Sequence, residues 1–132
     1  MTAADDELAV RNLVARVAQY ADGPDVDAYV ALFTPDAIWD MPGAPRQGHD
    51  EIRAGSEERR AAGQTGPGSK TRHVVSTVAV RVDEGHAVAD SVWQFYADTA
   101  SSPRLALMGT YHDELVRVGR EWKLARRQIT IG

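Results

Sequence analysis

The chain has 132 residues, of which 43% are hydrophobic and 26% charged, and its formal net charge is −4. This composition is typical of a globular domain, and the acidic balance argues against nucleic acid or an anionic membrane as partner. There is no cysteine, which excludes disulfides, thiolate nucleophiles and cysteine zinc sites. No stretch approaches the ~18 apolar residues of a membrane span, and the acidic N-terminus lacks a signal-peptide core. We therefore expect one cytoplasmic domain over residues 1–132.

The first predicted element is an amphipathic helix. Apolar residues recur at three- and four-residue steps over residues 8–21, which is the pattern of one buried helix face. Asp5 or Asp6 is expected to cap its N-terminus, because a carboxylate there complements the helix dipole. Gly23 and Pro24 are expected to end it.

A shorter helix is predicted from Asp25, with four buried apolar residues: Tyr29, Val30, Leu32 and Phe33. A short strand over residues 37–41 follows, and then a loop rich in Pro and Gly. A third helix is predicted over residues 50–62, with a charged outer face and Ile52 as its clear apolar anchor. The Gly-rich segment 63–70 is expected to be a mobile loop or lid.

The second half of the chain predicts strands. Four long segments are rich in Val, Thr, Tyr and Trp: 71–83, 86–98, 104–118 and 121–131. The pairs Glu84-Gly85 and Gly119-Arg120 are typical of tight hairpin turns. The resulting order, α-α-β-α-β-β-β-β, indicates an α+β fold in which helices pack on one face of a curved antiparallel sheet.

Five sequence features together resemble one superfamily. They are the stretch "YADGPDVDAYVALFTPDAIWD" and the segments Gly48 to Ile52, Arg72-His73, Gly109 to Asp113 and Gly119 to Arg127. In this arrangement the chain resembles the SnoaL-like branch of the nuclear transport factor 2-like, or ketosteroid isomerase-like, superfamily. The resemblance covers nearly the whole chain. It implies a cone-shaped, curved mixed or antiparallel sheet around three helices (an α+β barrel) and a conical pocket for a small-molecule substrate. It also implies no cofactor, and a homodimer or homotrimer formed through the outer sheet face.

Within that superfamily, the local motifs are most similar to scytalone dehydratase and hexachlorocyclohexane dehydrochlorinase. This resemblance implies that Asp22 and His73 are a catalytic pair that abstracts a proton. It implies that Trp39 lines the pocket and that Arg127 assists the reaction. Val17 stands where the dehydrochlorinase has a lysine, so its dehalogenating activity is not carried over.

Two tyrosines and one carboxylate are further candidates for substrate binding. The resemblance to scytalone dehydratase makes Tyr20 and Tyr111 candidate pocket residues. Asp113 follows Tyr111 by two positions and therefore shares its strand face. If that face lines the pocket, a shielded Asp113 can stay protonated and act as an acid. If the register is reversed, His112 and Glu114 point inward instead.

From the residues alone, several site assignments remain open. Asp22 is either a turn residue beside Gly-Pro or a functional carboxylate, and a carboxylate at a helix C-terminus is unfavourable unless a cation answers it. Only one of Arg126 and Arg127 can point inward, since successive strand residues alternate. A solvated arginine is the default expectation, because an inward arginine needs an anionic partner. No two of the four histidines lie within four residues of each other, so we expect no metal site.

His73 stands near the start of an alternating strand. Regular alternation places it on one face with Val75, Thr77 and Ala79, and places Val74, Val78, Val80 and Val82 on the other. A histidine at this position is either a packed residue or, when oriented by a buried carboxylate, a general base.

The expected function is a cofactor-independent enzyme that shifts a proton on a small apolar or oxygenated substrate. Elimination, such as dehydration, is the first expectation, followed by isomerisation or cyclisation. The reversed roles, with Asp22 as the base, remain open. The alternative is a non-catalytic domain of the same fold that binds a small ligand or dimerises.

Overall fold

The computed structural model, which describes residues 2–132, contains three helices and six strands. In order they are α1 Ala3–Asp22, α2 Val26–Val30, β1 Phe33–Asp40, β2 Arg46–Gln47, α3 Gly48–Ala61, β3 Arg72–Asp83, β4 His86–Ala97, β5 Arg104–Val118 and β6 Glu121–Ile131. The predicted α+β class and element order are confirmed. One short strand is additional, because β2 lies in the expected Pro/Gly loop and pairs with β1. No helix within residues 2–132 is long and apolar enough to cross a membrane.

The six strands form one curved sheet in the order β2-β1-β6-β5-β4-β3. The β1–β6 pair is parallel and the other pairs are antiparallel, so the sheet is mixed. Both predicted tight turns join antiparallel neighbours, at Glu84-Gly85 and at Gly119-Arg120. The sheet does not close on itself, because β2 and β3 remain at its two edges. It therefore wraps around the helices as an open half-cone rather than as a complete barrel.

The N-terminus of α1 differs from the expectation. Thr2 is the N-cap: its Oγ1 accepts a hydrogen bond from the Asp5 N–H at 3.1 Å, and Asp5 accepts one from the Thr2 N–H at 3.0 Å. This reciprocal capping box places Asp5 three residues inside the helix. Asp6 does not cap the helix either. It is buried and accepts hydrogen bonds from Trp122 Nε1 at 3.1 Å and Arg117 Nη1 at 3.2 Å.

The main core lies between the helices and the concave face of the sheet. It consists of apolar side chains from α1, α2, α3, β1, β4, β5 and β6: Val10, Leu13, Val14, Val17, Tyr29, Val30, Phe33, Ala37, Ile52, Ala87, Ala89, Leu115, Trp122 and Leu124. Asp25 caps α2 as predicted, because its Oδ1 accepts a hydrogen bond from the Ala28 N–H at 3.0 Å. Burial of these side chains fixes α1 against β3 and the centre of the sheet.

A β-bulge interrupts β3 and corrects the predicted alternation. The register against β4 shifts between Ser76 and Ala79, and Thr77 takes a positive φ of 49°. One extra residue therefore lies in β3, which changes the phase of the side chains. As a result His73 and Val75 share the concave face with three valines predicted for the opposite face: Val78, Val80 and Val82. The bulge lets one strand both pack on α1 and present His73 to the interior.

Candidate active site

A cavity opens between the helices and the concave face of the sheet. It has a deep part of about 40 Å³ and an adjoining outer part of about 300 Å³. Five residues line both parts: Trp39, Arg59, Thr65, His73 and Tyr111. The deep part also contacts Tyr29 and Arg127, and the outer part is enclosed by apolar side chains that include Trp93 and Phe95. This is the size and character of a site for a small, mainly apolar ligand.

Asp22 and His73 meet at the wall of this cavity. Asp22 is the last residue of α1, and His73 is the second residue of β3. Asp22 Oδ1 lies 2.8 Å from His73 Nδ1, and Asp22 Oδ2 accepts a hydrogen bond from the His73 backbone N–H at 2.8 Å. The imidazole packs against Phe95, with ring centroids 4.8 Å apart. Within residues 2–132 no hydrogen bond engages Nε2 of this ring, although His73 lines the cavity.

The cation of Arg60 lies at the C-terminal end of α1. There it offsets the unfavourable interaction between the Asp22 carboxylate and the negative pole of the helix dipole. Arg60 of α3 donates hydrogen bonds to the carbonyl oxygens of Tyr20 at 3.0 Å, Ala21 at 3.2 Å and Gly23. These are carbonyls that a helix end leaves without intrahelical partners. Arg60 therefore holds the end of α1 in place beside His73.

The register of β5 places Tyr111 and Asp113 inward, and His112 and Glu114 are exposed. Arg127 of β6 lies opposite Asp113. Its Nε donates to Asp113 Oδ1 at 2.8 Å and its Nη2 donates to Oδ2 at 2.9 Å. The exposed fraction is 0% for Asp113 and 3% for Arg127. Asp113 is thus the anionic partner that an inward arginine needs, and it does not line the cavity as a free acid.

This ion pair also fixes the charge of Arg127. Burial alone would lower the pKa of Arg127, but the Asp113 carboxylate and its hydrogen bonds hold that pKa above the usual arginine range. Arg127 stays cationic, and part of its charge is already matched before any ligand enters. Its guanidinium carbon lies 3.7 Å from the centroid of the Tyr111 ring, so it contacts that aromatic face directly.

Tyr111 is a neutral hydrogen-bond donor with one aromatic neighbour, Trp93, and one cationic neighbour, Arg127. Its ring stacks on Trp93 with centroids 5.9 Å apart, on the strand next to it. Burial raises the pKa of Tyr111 to about 12. The phenol therefore remains protonated at neutral pH, and within residues 2–132 its hydroxyl has no hydrogen-bond partner.

Gly109 makes room for this aromatic wall. A Cβ at position 109 would lie 2.8 Å from Trp93 Cζ2 and 1.8 Å from the Thr130 carbonyl oxygen, distances that no side chain tolerates. Trp93 uses the space to donate a hydrogen bond from Nε1 to that same carbonyl at 3.2 Å. The glycine of the Gly-x-Tyr-x-Asp segment is therefore required for packing.

Of the two remaining predicted site residues, Trp39 lines the cavity and Tyr20 does not. Trp39 of β1 lies beside Arg127 in the parallel register and lines both parts of the cavity. Tyr20 does not line either part. Its ring lies near the Arg16 guanidinium, 6.0 Å from ring centroid to Cζ, and packs partly buried against the main core.

Arg59 and Tyr29 are among the cavity residues that were not predicted from the sequence. Arg59 belongs to the charged stretch of α3 that was assigned to an outer face. Ile52, Ser56 and Arg59 are spaced by four and three residues, and Ile52 and Ser56 are buried. This spacing places Arg59 on the inner face of the helix and was the signal available in the sequence.

The other three histidines lie away from the cavity. His112 pairs with Asp90 on the convex face of the sheet, with Nδ1 2.6 Å from Oδ1. The His49 ring contacts the Phe33 carbonyl oxygen at 2.8 Å. Within residues 2–132, no three His, Cys, Asp or Glu side chains come close enough together to hold a metal ion.

Comparison with known proteins identifies the family. The model of the SnoaL-like domain matches residues 2–128. The chain therefore belongs to the SnoaL-like family, as the sequence motifs indicated, and its fold is that of the nuclear transport factor 2-like proteins. No curated protein matches the chain significantly.

Solved structures show the same fold at low sequence identity. A protein of unknown function with a cystatin-like fold from Nostoc punctiforme has a TM-score of 0.86 at 23% identity, covering 100% of this chain and 94% of that one. ActVI-ORFA from Streptomyces coelicolor has a TM-score of 0.79 at 24% identity, with coverage of 94% and 95%. A protein provisionally assigned as a scytalone dehydratase, from Novosphingobium aromaticivorans, has a TM-score of 0.77 at 22% identity, with coverage of 96% and 84%. These likenesses establish the fold alone.

Proposed function

We propose that this protein is a cofactor-independent enzyme that removes a carbon-bound proton from a small, largely apolar, oxygenated molecule. His73 is the general base and Asp22 orients it. Elimination of water or another leaving group is the favoured reaction, and isomerisation and cyclisation share the same first step. The observation that carries the proposal is the two-point contact between the Asp22 carboxylate and His73 at the wall of the cavity.

The geometry of this contact supports His73 as the base. Asp22 Oδ1 accepts the hydrogen bond from Nδ1, so the ring proton resides on Nδ1 and the lone pair on Nε2. The carboxylate also stabilises the imidazolium that forms when a substrate proton is taken. Asp22 itself lines neither part of the cavity. In the reversed roles Asp22 would have to reach the substrate past the imidazole that it holds.

A β-hydroxy ketone illustrates the chemistry. His73 Nε2 takes a proton from the carbon next to the carbonyl, and the C–H electron pair moves to give an enolate with its charge on oxygen. The enolate then re-forms the carbonyl and expels the β-hydroxyl group, which takes the proton back from the imidazolium. Water and an unsaturated ketone leave, and His73 is neutral again. The role for Tyr111 is to donate a hydrogen bond to the oxygen that carries the enolate charge.

Arg127 acts through Tyr111 in this proposal. The guanidinium lies against the phenol ring, and its positive charge favours negative charge on the phenol oxygen. The phenol is thereby a stronger hydrogen-bond donor to a developing oxyanion. Arg127 is a positioning residue, since Asp113 takes two of its N–H groups.

Proton exchange with solvent tests the proposal before a substrate is known. The protein is incubated in deuterium oxide with 1-tetralone, 2-tetralone and 3-hydroxy-1-indanone, and loss of the proton signals next to the carbonyl is followed by NMR. We expect faster exchange with the native protein, and no acceleration with Asp22→Asn or His73→Gln. Asp90→Asn, on the convex face of the sheet, is the matched control. A folded Asp22→Asn variant that accelerates exchange as well as the native protein would contradict the role of the Asp22–His73 pair. No acceleration by the native protein would leave a non-catalytic ligand-binding domain as the better explanation.

A further inference from the structure

We propose that the substrate of this site carries an anionic oxygen, a carboxylate or an ionised phenol, which the Arg59 guanidinium binds inside the cavity. This inference rests on the proposed function only in calling the ligand a substrate. The binding itself requires neither His73 nor Asp22. Arg59 lies where the deep and outer parts of the cavity adjoin, because it lines both.

The positive charge of the Arg59 side chain has no counterion among residues 2–132. The neighbouring arginines are satisfied: Arg46 by Glu58 at 2.7 Å, Arg60 by three backbone carbonyls and Arg127 by Asp113 at 2.8 Å. Within residues 2–132, the Arg59 guanidinium makes neither an ion pair nor a hydrogen bond. Its contact is with the face of Trp39, at 4.6 Å from Cζ to the ring centroid.

A cation in this position favours an incoming anion. Burial lowers the pKa of Arg59, and the nearby guanidinium group of Arg46 acts in the same direction. Arginine nevertheless remains protonated in proteins. The charge therefore stays in a partly desolvated place without a counterion, which is costly, and a ligand oxygen of opposite charge relieves that cost.

The side chains around Arg59 include hydrogen-bond donors and no carboxylate that would neutralise its charge. Among the residues that the structure describes, no Asp or Glu lines either part of the cavity. The phenols of Tyr29 and Tyr111 both interact electrostatically with Arg59, and burial raises the pKa of each, so both stay neutral donors. Within residues 2–132 neither hydroxyl has a hydrogen-bond partner. One cation without an ion-pair partner, Arg59, and two hydroxyl donors thus line the deep part, together with Arg127, which Asp113 already pairs.

The helix also leaves space for the guanidinium. A Cβ at Gly55 would lie 3.1 Å from Arg59 Nη1 and 3.1 Å from Arg46 Nε. The absence of a side chain at this buried position lets Arg59 reach back along α3 toward Trp39. The outer part of the cavity, about 300 Å³ with aromatic walls, then accommodates an apolar body. The two features together define the ligand as a ring system that bears one acidic oxygen.

A matched pair of probes tests this inference. The affinities of 1-naphthoate and its neutral analogue 1-naphthamide are measured at neutral pH by isothermal titration calorimetry. Because a hydrogen bond to a charged group contributes more than a neutral one, we expect naphthoate to bind about tenfold more tightly to the native protein. Arg59→Gln should lose this preference while keeping its affinity for naphthamide, and Arg59→Lys should keep part of it. Arg53→Gln is the control, since Arg53 lies on the same helix and pairs with Asp27 at the surface.

Three results overturn the inference: equal affinities of the native protein for the two compounds, a preference that survives in Arg59→Gln, or binding of neither compound at millimolar concentration. The outcome is separable from that of the proposed function. Asp22→Asn should bind naphthoate with the native preference, because the charge contact does not involve the base. A native naphthoate preference without any proton exchange contradicts the proposed function alone. Proton exchange without the preference contradicts the role of Arg59 alone.

Discussion

The described part of the chain, residues 2–132, contains two Asp–His pairs of nearly the same local geometry on opposite faces of the sheet. In the concave pair Asp22 Oδ1 lies 2.8 Å from His73 Nδ1, and the exposed side-chain fractions are 16% and 20%. In the convex pair Asp90 Oδ1 lies 2.6 Å from His112 Nδ1, and the exposed fractions are 63% and 46%. The atoms that meet are the same, but the surroundings differ.

The difference lies in what holds each carboxylate and what each imidazole faces. Asp22 is anchored by the backbone N–H of its partner and by the end of a helix that Arg60 secures. Asp90 has no such support, because its contact is with an exposed ring on the neighbouring strand. Solvent screens an exposed pair and competes for its hydrogen bond, so such a pair contributes little. Enclosure and anchoring, rather than the pair itself, distinguish the histidine to which the proposed function assigns the role of base.

The largest expected effect comes from Asp22→Asn. The remaining side-chain oxygen would accept the hydrogen bond from the His73 backbone N–H, and the amide NH₂ would face Nδ1. The ring proton is then forced onto Nε2, which removes the lone pair that acts as base. We expect turnover to fall by about 10²–10⁴-fold, with the fold retained. Nitrogen-15 NMR of the imidazole reports the tautomer directly. An unchanged tautomer together with unchanged turnover would contradict the assignment.

The ion pair between Asp113 and Arg127 is more deeply buried than either Asp–His pair, and it tests how burial affects the contribution of a charged pair to stability. Asp113→Asn leaves a buried guanidinium without its counterion, and we expect the free energy of unfolding to fall by about 3–5 kcal/mol. Urea denaturation measures this change. Asp98→Asn is the matched control, because Asp98 pairs with Arg104 at the surface. Equal losses for the two variants would show that enclosure does not set the contribution of a pair in this protein.

Burial of Tyr111 makes the free energy of unfolding depend on pH. Burial raises its pKa to about 12 in the folded protein, against about 10 in an unfolded chain. The folded state thus holds the phenolic proton more tightly. The contribution of Tyr111 is fully present below pH ~10 and is lost as the pH rises through the folded value, by on the order of 2 kcal/mol. Chemical denaturation between these pH values should show a steeper loss in the native protein than in Tyr111→Phe, and equal slopes would refute this prediction.

The smallest expected effect is that of Asp90→Asn. Because the convex pair is exposed, its loss should change the free energy of unfolding by less than about 0.5 kcal/mol and leave proton exchange unaffected. Urea denaturation and the exchange assay check both expectations. A large loss of exchange would mean that the convex pair belongs to the functional site after all.

The fold and much of the site were accessible from the sequence because they depend on local patterns. Helical periodicity, hairpin turns and the family motifs predicted the element order. The rule that strand neighbours alternate predicted that only one of Arg126 and Arg127 can point inward and that an inward arginine needs an anionic partner, although a solvated arginine was the default expectation. Asp113 is that partner, so the same carboxylate that was predicted as a free pocket acid is instead committed to an ion pair.

Two features could not be read from local patterns. The bulge at Thr77 depends on how β3 pairs with β4, and nothing in a valine-rich strand marks the extra residue. The placement of Tyr20 depends on the rotation of α1 about its axis, which tertiary packing of the whole helix determines. In both cases the decisive contacts join residues far apart in the chain.

Arg59 and Arg60 are adjacent in α3 but have separate tasks, because consecutive helical residues point about 100° apart. Arg60 secures the end of α1 through backbone carbonyls, and Arg59 faces the cavity. Selection, or a protein engineer, can therefore change the charge at position 59 while the scaffold that orients the base stays intact. We expect this single position to offer the shortest evolutionary route from ligands of one charge to ligands of another.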